Sequence, residues 1–201
     1  MSKGLYLSPG NRRMNIPTFS LPAEETCPNA TEHCKQYCYA KKAEKIWKGP
    51  RESRKRNYER SQKDYFVGDM FMLLRKKESE YIRVHESGDM YEQEYLDKWT
   101  KIMRAFPEKK FLIFSQMYRL DWSRLPDNAV LYWTVWDDSK DVPEEGLRAY
   151  VIDDGTGKVN PKNTKRLQKA HLCTKGKGSD LKCDDCMYCY NGTGDVKFKI
   201  H

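Results

Sequence analysis

Cys27, Cys34 and Cys38 fall in one short segment with the spacing C-x6-C-x3-C. Pro28, Asn29 and Thr31 keep the first gap from being regular helix, whereas Cys34 and Cys38 stand about one helical turn apart. An irregular loop closed by a helix start lets three thiolates converge on one inorganic centre. Three is one fewer than the four ligands of a closed tetrahedral zinc site. It is the number that holds an iron–sulfur cluster while leaving one iron open to another ligand. His33 and a distant cysteine are the candidates for a fourth ligand. The bland alternative is three unconnected buried thiols.

A second group, Cys173, Cys183, Cys186 and Cys189, has the spacing C-x9-C-x2-C-x2-C. Two successive C-x2-C steps fold thiolates onto one centre, and four thiolates suit either structural zinc or a fully ligated [4Fe–4S] cluster. Seven cysteines is an odd number, which would leave one over in a disulfide framework and points instead to metal. The N-terminus has no apolar signal region, so the expected compartment is the reducing cytosol.

The chain has 201 residues, 38% hydrophobic and 33% charged, enough for one well-filled domain or two small ones. No apolar run approaches the ~20 residues needed to cross a bilayer. The formal net charge is +8, and the positive excess gathers in residues 41–60 and 158–182. That balance favours polyanions, with Arg51, Arg54, Lys55 and Arg56 as nucleic-acid candidates; a solvated helix face explains the same charges. Trp47, Tyr58 and Tyr65 are either stacking groups or core.

The elements that must position these groups are legible as a βα alternation. A short strand is expected at Leu5, Tyr6 and Leu7, a turn at Pro9, Gly10 and Asn11, and a second extended piece over residues 16–21. Phe66, Met70, Leu73 and Leu74 mark one face of a helix over residues 64–77. Strands are expected over 81–85, 111–114, 129–135 and 148–152, with a helix between the first two carrying Tyr95, Trp99 and Ile102. One or two helical turns are expected over 141–146. Residues 196–200 alternate cleanly and read as an edge strand. Alternating strands and helical connections give a parallel sheet with right-handed crossovers. Four such strands are too few for a closed eight-stranded barrel. The expected fold is therefore α/β, an open or partial (β/α) barrel, with an open doubly wound sheet as the alternative. The barrel would span residues 1–170, with a cysteine-rich segment, 171–201, packed on it.

In either arrangement chemistry gathers at the carboxyl ends of the strands. Glu86, Ser87, Gly88 and Asp89 follow the first strand, Ser115 and Gln116 the second, Trp136, Asp137 and Asp138 the third, and Asp153 and Asp154 the fourth. Each alone is an ordinary turn or cap residue, Asp89 included. As a set they outline a site.

Residues 5–11, residues 17–23, the cysteines, His85-Glu86-Ser87-Gly88-Asp89, the helix from Tyr95 to Trp99 and the run from Cys183 to Cys189 resemble the gene-product-eighty-eight family of bacteriophage proteins. More distantly, the layout resembles radical S-adenosylmethionine (SAM) enzymes. That resemblance implies a partial barrel, a [4Fe–4S] cluster with one open iron on Cys27, Cys34 and Cys38, and SAM seated by Glu86, Ser87, Gly88 and Asp89. The usual spacing there is C-x3-C-x2-C, from which this chain departs. Three cysteines plus four also resembles the inventory of a protein with an auxiliary cluster, which favours iron over zinc at the second site. The implied function is a phage iron–sulfur protein of radical-SAM-like type. The alternative is an iron–sulfur or zinc-stabilised module that binds nucleic acid or a host protein without SAM chemistry.

Overall fold

The computed structural model describes residues 4–10, 14–173 and 181–200. Asn11, at the end of the expected N-terminal turn, and the Gly-Lys-rich stretch at 175–179 lie outside the described residues. The first half of the chain runs β1 (Leu7–Ser8), β2 (Thr18–Phe19), α1 (Glu32–Gln36), α2 (Tyr39–Ile46), α3 (Lys48–Ser61), α4 (Phe66–Leu74), β3 (Tyr81–Val84) and α5 (Gln93–Arg104). It continues β4 (Lys110–Ser115), β5 (Ala129–Val135), β6 (Leu147–Ile152), α6 (Lys165–Lys169), β7 (His171–Leu172), α7 (Cys183–Cys186) and β8 (Val196–Lys199).

The strands form one mixed, eight-stranded sheet in the order β1-β2-β3-β4-β5-β6-β8-β7. Its pairs are parallel apart from β1 on β2. It does not close: among the described residues, β1 and β7 are paired on one side only. The order advances from β1 to β6 without the reversal that marks a doubly wound sheet, so that alternative is set aside.

The uniformly apolar β4 is covered on both sides, as such strands require. Phe111 and Ile113 pack with Ile82, Val84, Met70, Leu96 and Trp99 under the helices α4 and α5. Leu112 packs on the other side with Tyr132, Ala149 and Val196, against Tyr190 and the C-terminal cysteines. The α5 helix buries Tyr95, Leu96, Trp99, Ile102 and Met103, and places Lys101 and Arg104 in its last turn, where the helix dipole favours cations. Among the described residues no helix is long and apolar enough to cross a membrane.

Two expectations are corrected. The C-terminal strand is not an edge: β8 lies between β6 and β7, with Val196 and Lys197 paired to Ala149 and Tyr150 on one side and to His171 and Leu172 on the other. Lys197 is tolerated there because its ammonium donates to the Leu167 and Gln168 carbonyls at the end of α6, each 3.2 Å away. Residues 141–146 form no helix. The segment is held instead by Arg148, whose Nη2 donates to the Pro143 carbonyl at 2.7 Å. Gly146 takes φ +86° against the Trp133 indole, a conformation few residues other than glycine adopt.

Candidate metal centre

The segment between β2 and α2 is strapped across the carboxyl ends of the neighbouring strands. Leu21 N donates to the Ser87 carbonyl (2.9 Å) and Asp89 N to the Thr26 carbonyl (3.0 Å). The Asn29 amide donates to the Gln116 carbonyl, and Tyr39 Oη to that of Glu86. Gly88 permits this approach: its φ is +84°, and a Cβ there would stand 2.6 Å from both Leu21 Cβ and Thr26 Oγ1. Thr31 caps α1 by accepting from Cys34 N, and Cys38 caps α2, its sulfur accepting from Lys41 N at 3.4 Å.

Cys27, Cys34 and Cys38 share this ledge, close enough to act on one another. Burial first, then the Asp89 carboxylate, pushes Cys27 far above an ordinary thiol, and Cys34 and Cys38 push it further. Burial raises Cys34 to about 11, against the pull of Gln116, whose Nε2 donates to Cys34 Sγ at 3.2 Å. Desolvated, mutually repelling thiols favour the neutral form, and a bound cation reverses that preference. Among the described residues the three sulfurs do not all lie within 4.8 Å of one another.

The residues expected to seat a cofactor divide. Asp89 is buried, and its oxygens are taken: Oδ1 accepts from Ser115 Oγ and Met90 N, both at 2.7 Å, and Oδ2 from Gln116 N at 2.8 Å. Burial raises this carboxyl to about 6 even though those three donors pull it down. Asp89 thus ties the end of β3 to the end of β4, where the sequence suggested an acceptor facing a ligand. Ser115 and the Gln116 backbone serve the same knot. Ser87 is 3% exposed, and its Oγ reaches Glu44 at 3.5 Å. Glu86 is half-buried. The Gln116 side chain ends at the thiols, and its Oε1 is buried without a hydrogen-bond partner among the described residues.

Beside Cys34, His33 turns toward the end of β5. His33 Nδ1 lies 2.7 Å from Asp137 Oδ1, and His33 N donates to Asp138 Oδ2 at 3.0 Å. That contact with Asp137 raises the imidazole above its usual range. Burial works to raise Asp137, yet Asn160 N–H and His33 outweigh it and hold the carboxyl low. On β6 the expected Asp153 closes a turn, accepting from the backbone N–H groups of Gly155, Gly157 and Lys158, while Asp154 stands exposed.

The second cysteine group lies on the sheet face opposite α4 and α5. Burial pushes Cys189 up to about 12; Cys173, Cys183 and Cys186 raise it further, and Arg83 lowers it. The four cysteines thus share one region of that face, though among the described residues no three of their sulfurs lie within 4.8 Å of one another. The turn through Cys183 and Cys186 ends on Met187 at φ +50°, and Tyr188 stacks on His171 at 4.2 Å. No two of the seven cysteines are joined by a disulfide.

The basic segment is less basic than it reads. Arg54 is 8% exposed, and its Nη1 donates to Glu44 (2.9 Å) and to the Ala40 carbonyl (3.2 Å). Arg56 Nε donates to the Gly4 carbonyl, while Lys48 and Lys55 sit near Glu52 and Glu59 one turn on. Arg51 and Lys55 stay exposed, as does Trp47 at 59%. Glu44, unremarked in the sequence, is the hub: it also accepts from Ala23 N at 3.0 Å, binding α2 and α3 to the cysteine segment.

Comparison with known proteins adds a lineage. The gene 88 protein of Mycobacterium phage L5 is 28% identical over an alignment covering 94% of this chain and 89% of the relative. The gene 88 protein of Mycobacterium phage D29 is 26% identical, with the same coverage. No solved structure matches the chain. Residues 2–194 match the family described as gene product 88, and the chain belongs to that family of phage proteins.

Proposed function

We propose that this phage protein is an iron–sulfur protein of radical-SAM-like type, its open sheet a partial (β/α) barrel. Cys27, Cys34 and Cys38 would hold a [4Fe–4S] cluster at the carboxyl ends of β2 to β5, leaving one iron open. Cys173, Cys183, Cys186 and Cys189 would hold a second centre, iron–sulfur or zinc, that fastens the C-terminal segment to the opposite face. The observation that carries the reading is that three cysteines share the ledge where strand ends present polar groups, with Cys27 and Cys34 desolvated and Cys34 accepting from the Gln116 amide. When bound, such a cluster supplies an electron to a ligand chelated at its open iron. The chain's part is to exclude water, orient the thiols and offer the unpartnered Gln116 Oε1 to the ligand's amino group. Asp89, with both oxygens filled, supports the ledge from beneath. The implied place of action is the host cytoplasm.

A second reading, a cluster-stabilised module that binds nucleic acid or a host protein, draws on the far face of the sheet. There Phe114 stacks on Tyr132 (5.1 Å) and meets Phe198 (5.8 Å), and the C-terminal cysteine segment packs over that face. Electron paramagnetic resonance (EPR) of the dithionite-reduced protein separates the two. The enzyme reading expects SAM to alter the cluster signal and 5′-deoxyadenosine to form. An unaltered signal with no 5′-deoxyadenosine leaves the binding module.

A further inference from the structure

Among the described residues, one set of three metal-ligating side chains has ligand atoms all within 4.8 Å of one another, and it contains no cysteine: His33, Asp137 and Asp138. The segments carrying them lie far apart in sequence, and helix α1 brings its histidine to the end of β5. A metal–ligand bond of about 2.1 Å sets neighbouring ligand atoms about 3.0 to 3.4 Å apart, well inside that spread. An independent feature points to a missing partner. Asp138 Oδ1 is completely buried and accepts no hydrogen bond among the described residues, a cost that a carboxylate sustains only with a counter-group. The surroundings are those of a supported ligand set. Asn160 N–H holds the other oxygen of Asp137 at 2.9 Å, and Asp138 Oδ2 is fixed by His33 N. The Asp137 side chain is 11% exposed and that of His33 35%, so the site has a wet side from which an ion and its waters can enter.

We propose that His33, Asp137 and Asp138 form a mononuclear site for a divalent transition-metal cation, beside the thiol ledge and chemically separate from it. One imidazole and two carboxylates suit manganese(II), iron(II) or zinc better than calcium or magnesium, which prefer oxygen alone. The positions left open belong to water or to an anionic ligand. The site uses no thiol, so it stands or falls apart from the iron–sulfur reading, and it withdraws His33 from the candidates for a cluster ligand.

Manganese(II) is the discriminating probe, because it takes carboxylate and imidazole and leaves soft thiolates alone. Full-length protein, freed of metal by a chelator and desalted, is titrated with manganese(II) while the EPR signal of the free ion is followed. The expected result is one ion bound per chain, the same in cluster-loaded and cluster-free protein. Binding should weaken at least tenfold in Asp138→Asn and in the partly exposed His33→Ala, and stay unchanged in Asp64→Asn, an exposed carboxylate elsewhere on the chain. The melting temperature of the wild type should rise with manganese(II), since an ion that binds only the folded state stabilises it. That measurement stands even where a variant folds poorly. Wild-type protein that binds no manganese(II), or an Asp138→Asn protein that binds it as tightly as wild type, overturns the site.

Discussion

Cys34→Ala should abolish the proposed N-terminal cluster while leaving the proposed C-terminal centre in place. The sulfur it removes accepts the Gln116 amide at 3.2 Å and is one of only three thiols on the ledge, so two ligands remain for a group that needs three. Cys34 is half-buried in a five-residue helix whose cap depends on Thr31 Oγ and the Cys34 backbone, both of which survive the change. The expected reading is loss of one centre's iron and acid-labile sulfide, with a far-ultraviolet circular dichroism spectrum like that of wild type. Full wild-type iron in Cys34→Ala would remove this residue from the ligand set.

Asp89→Ala should have the largest effect on stability. Removing the carboxylate leaves the Ser115 hydroxyl and the Met90 and Gln116 N–H groups facing a buried void. Unpaired buried donors of this kind together cost about 3 kcal/mol or more. The same carboxylate makes stability depend on pH in the opposite sense to a surface ion pair. Its folded pKa is raised, to about 6, so the folded protein holds the proton more tightly than the unfolded chain does. The stabilisation is full below the ordinary carboxyl range and is lost as pH climbs from about 4 to about 6, by on the order of 3 kcal/mol. Urea unfolding of chelator-treated protein across that interval should show the decline in wild type and its absence in Asp89→Asn. A flat wild-type profile would mean that Asp89 is not desolvated.

Much of this was readable in advance, and the failures have physical causes. The parallel strands β3 to β6 follow from apolar runs such as Phe111-Leu112-Ile113-Phe114, buried on both faces, but of the expected helical connections only α5, between β3 and β4, forms. The place of β8 was not readable. Alternation in Val196-Lys197-Phe198-Lys199 is what an edge strand shows, and the partner beyond it, His171–Leu172, is two residues long and has no pattern of its own. Arg54 looked like one more charge in a basic run because its partner Glu44 lies on another helix. The polar residues stand at the carboxyl ends of β3 to β6, as their positions after apolar runs imply, but which member faces inward depends on how chain ends fold over one another. Asp89 was assigned to a ligand, yet the structure spends it on Ser115, Gln116 and Met90. The contact of His33 with Asp137 and Asp138 arises only once α1 is laid across the sheet.

The central claim is that the first cysteine group binds an iron–sulfur cluster, and metal analysis of anaerobically purified protein tests it most directly. Iron, acid-labile sulfide and zinc are measured per chain alongside the visible absorption spectrum. The account predicts brown protein with iron and sulfide in near-equal amounts, about four of each per chain when the second site holds zinc and about eight when both sites hold [4Fe–4S] clusters. Colourless protein with zinc at both cysteine groups, or iron without sulfide, would contradict it.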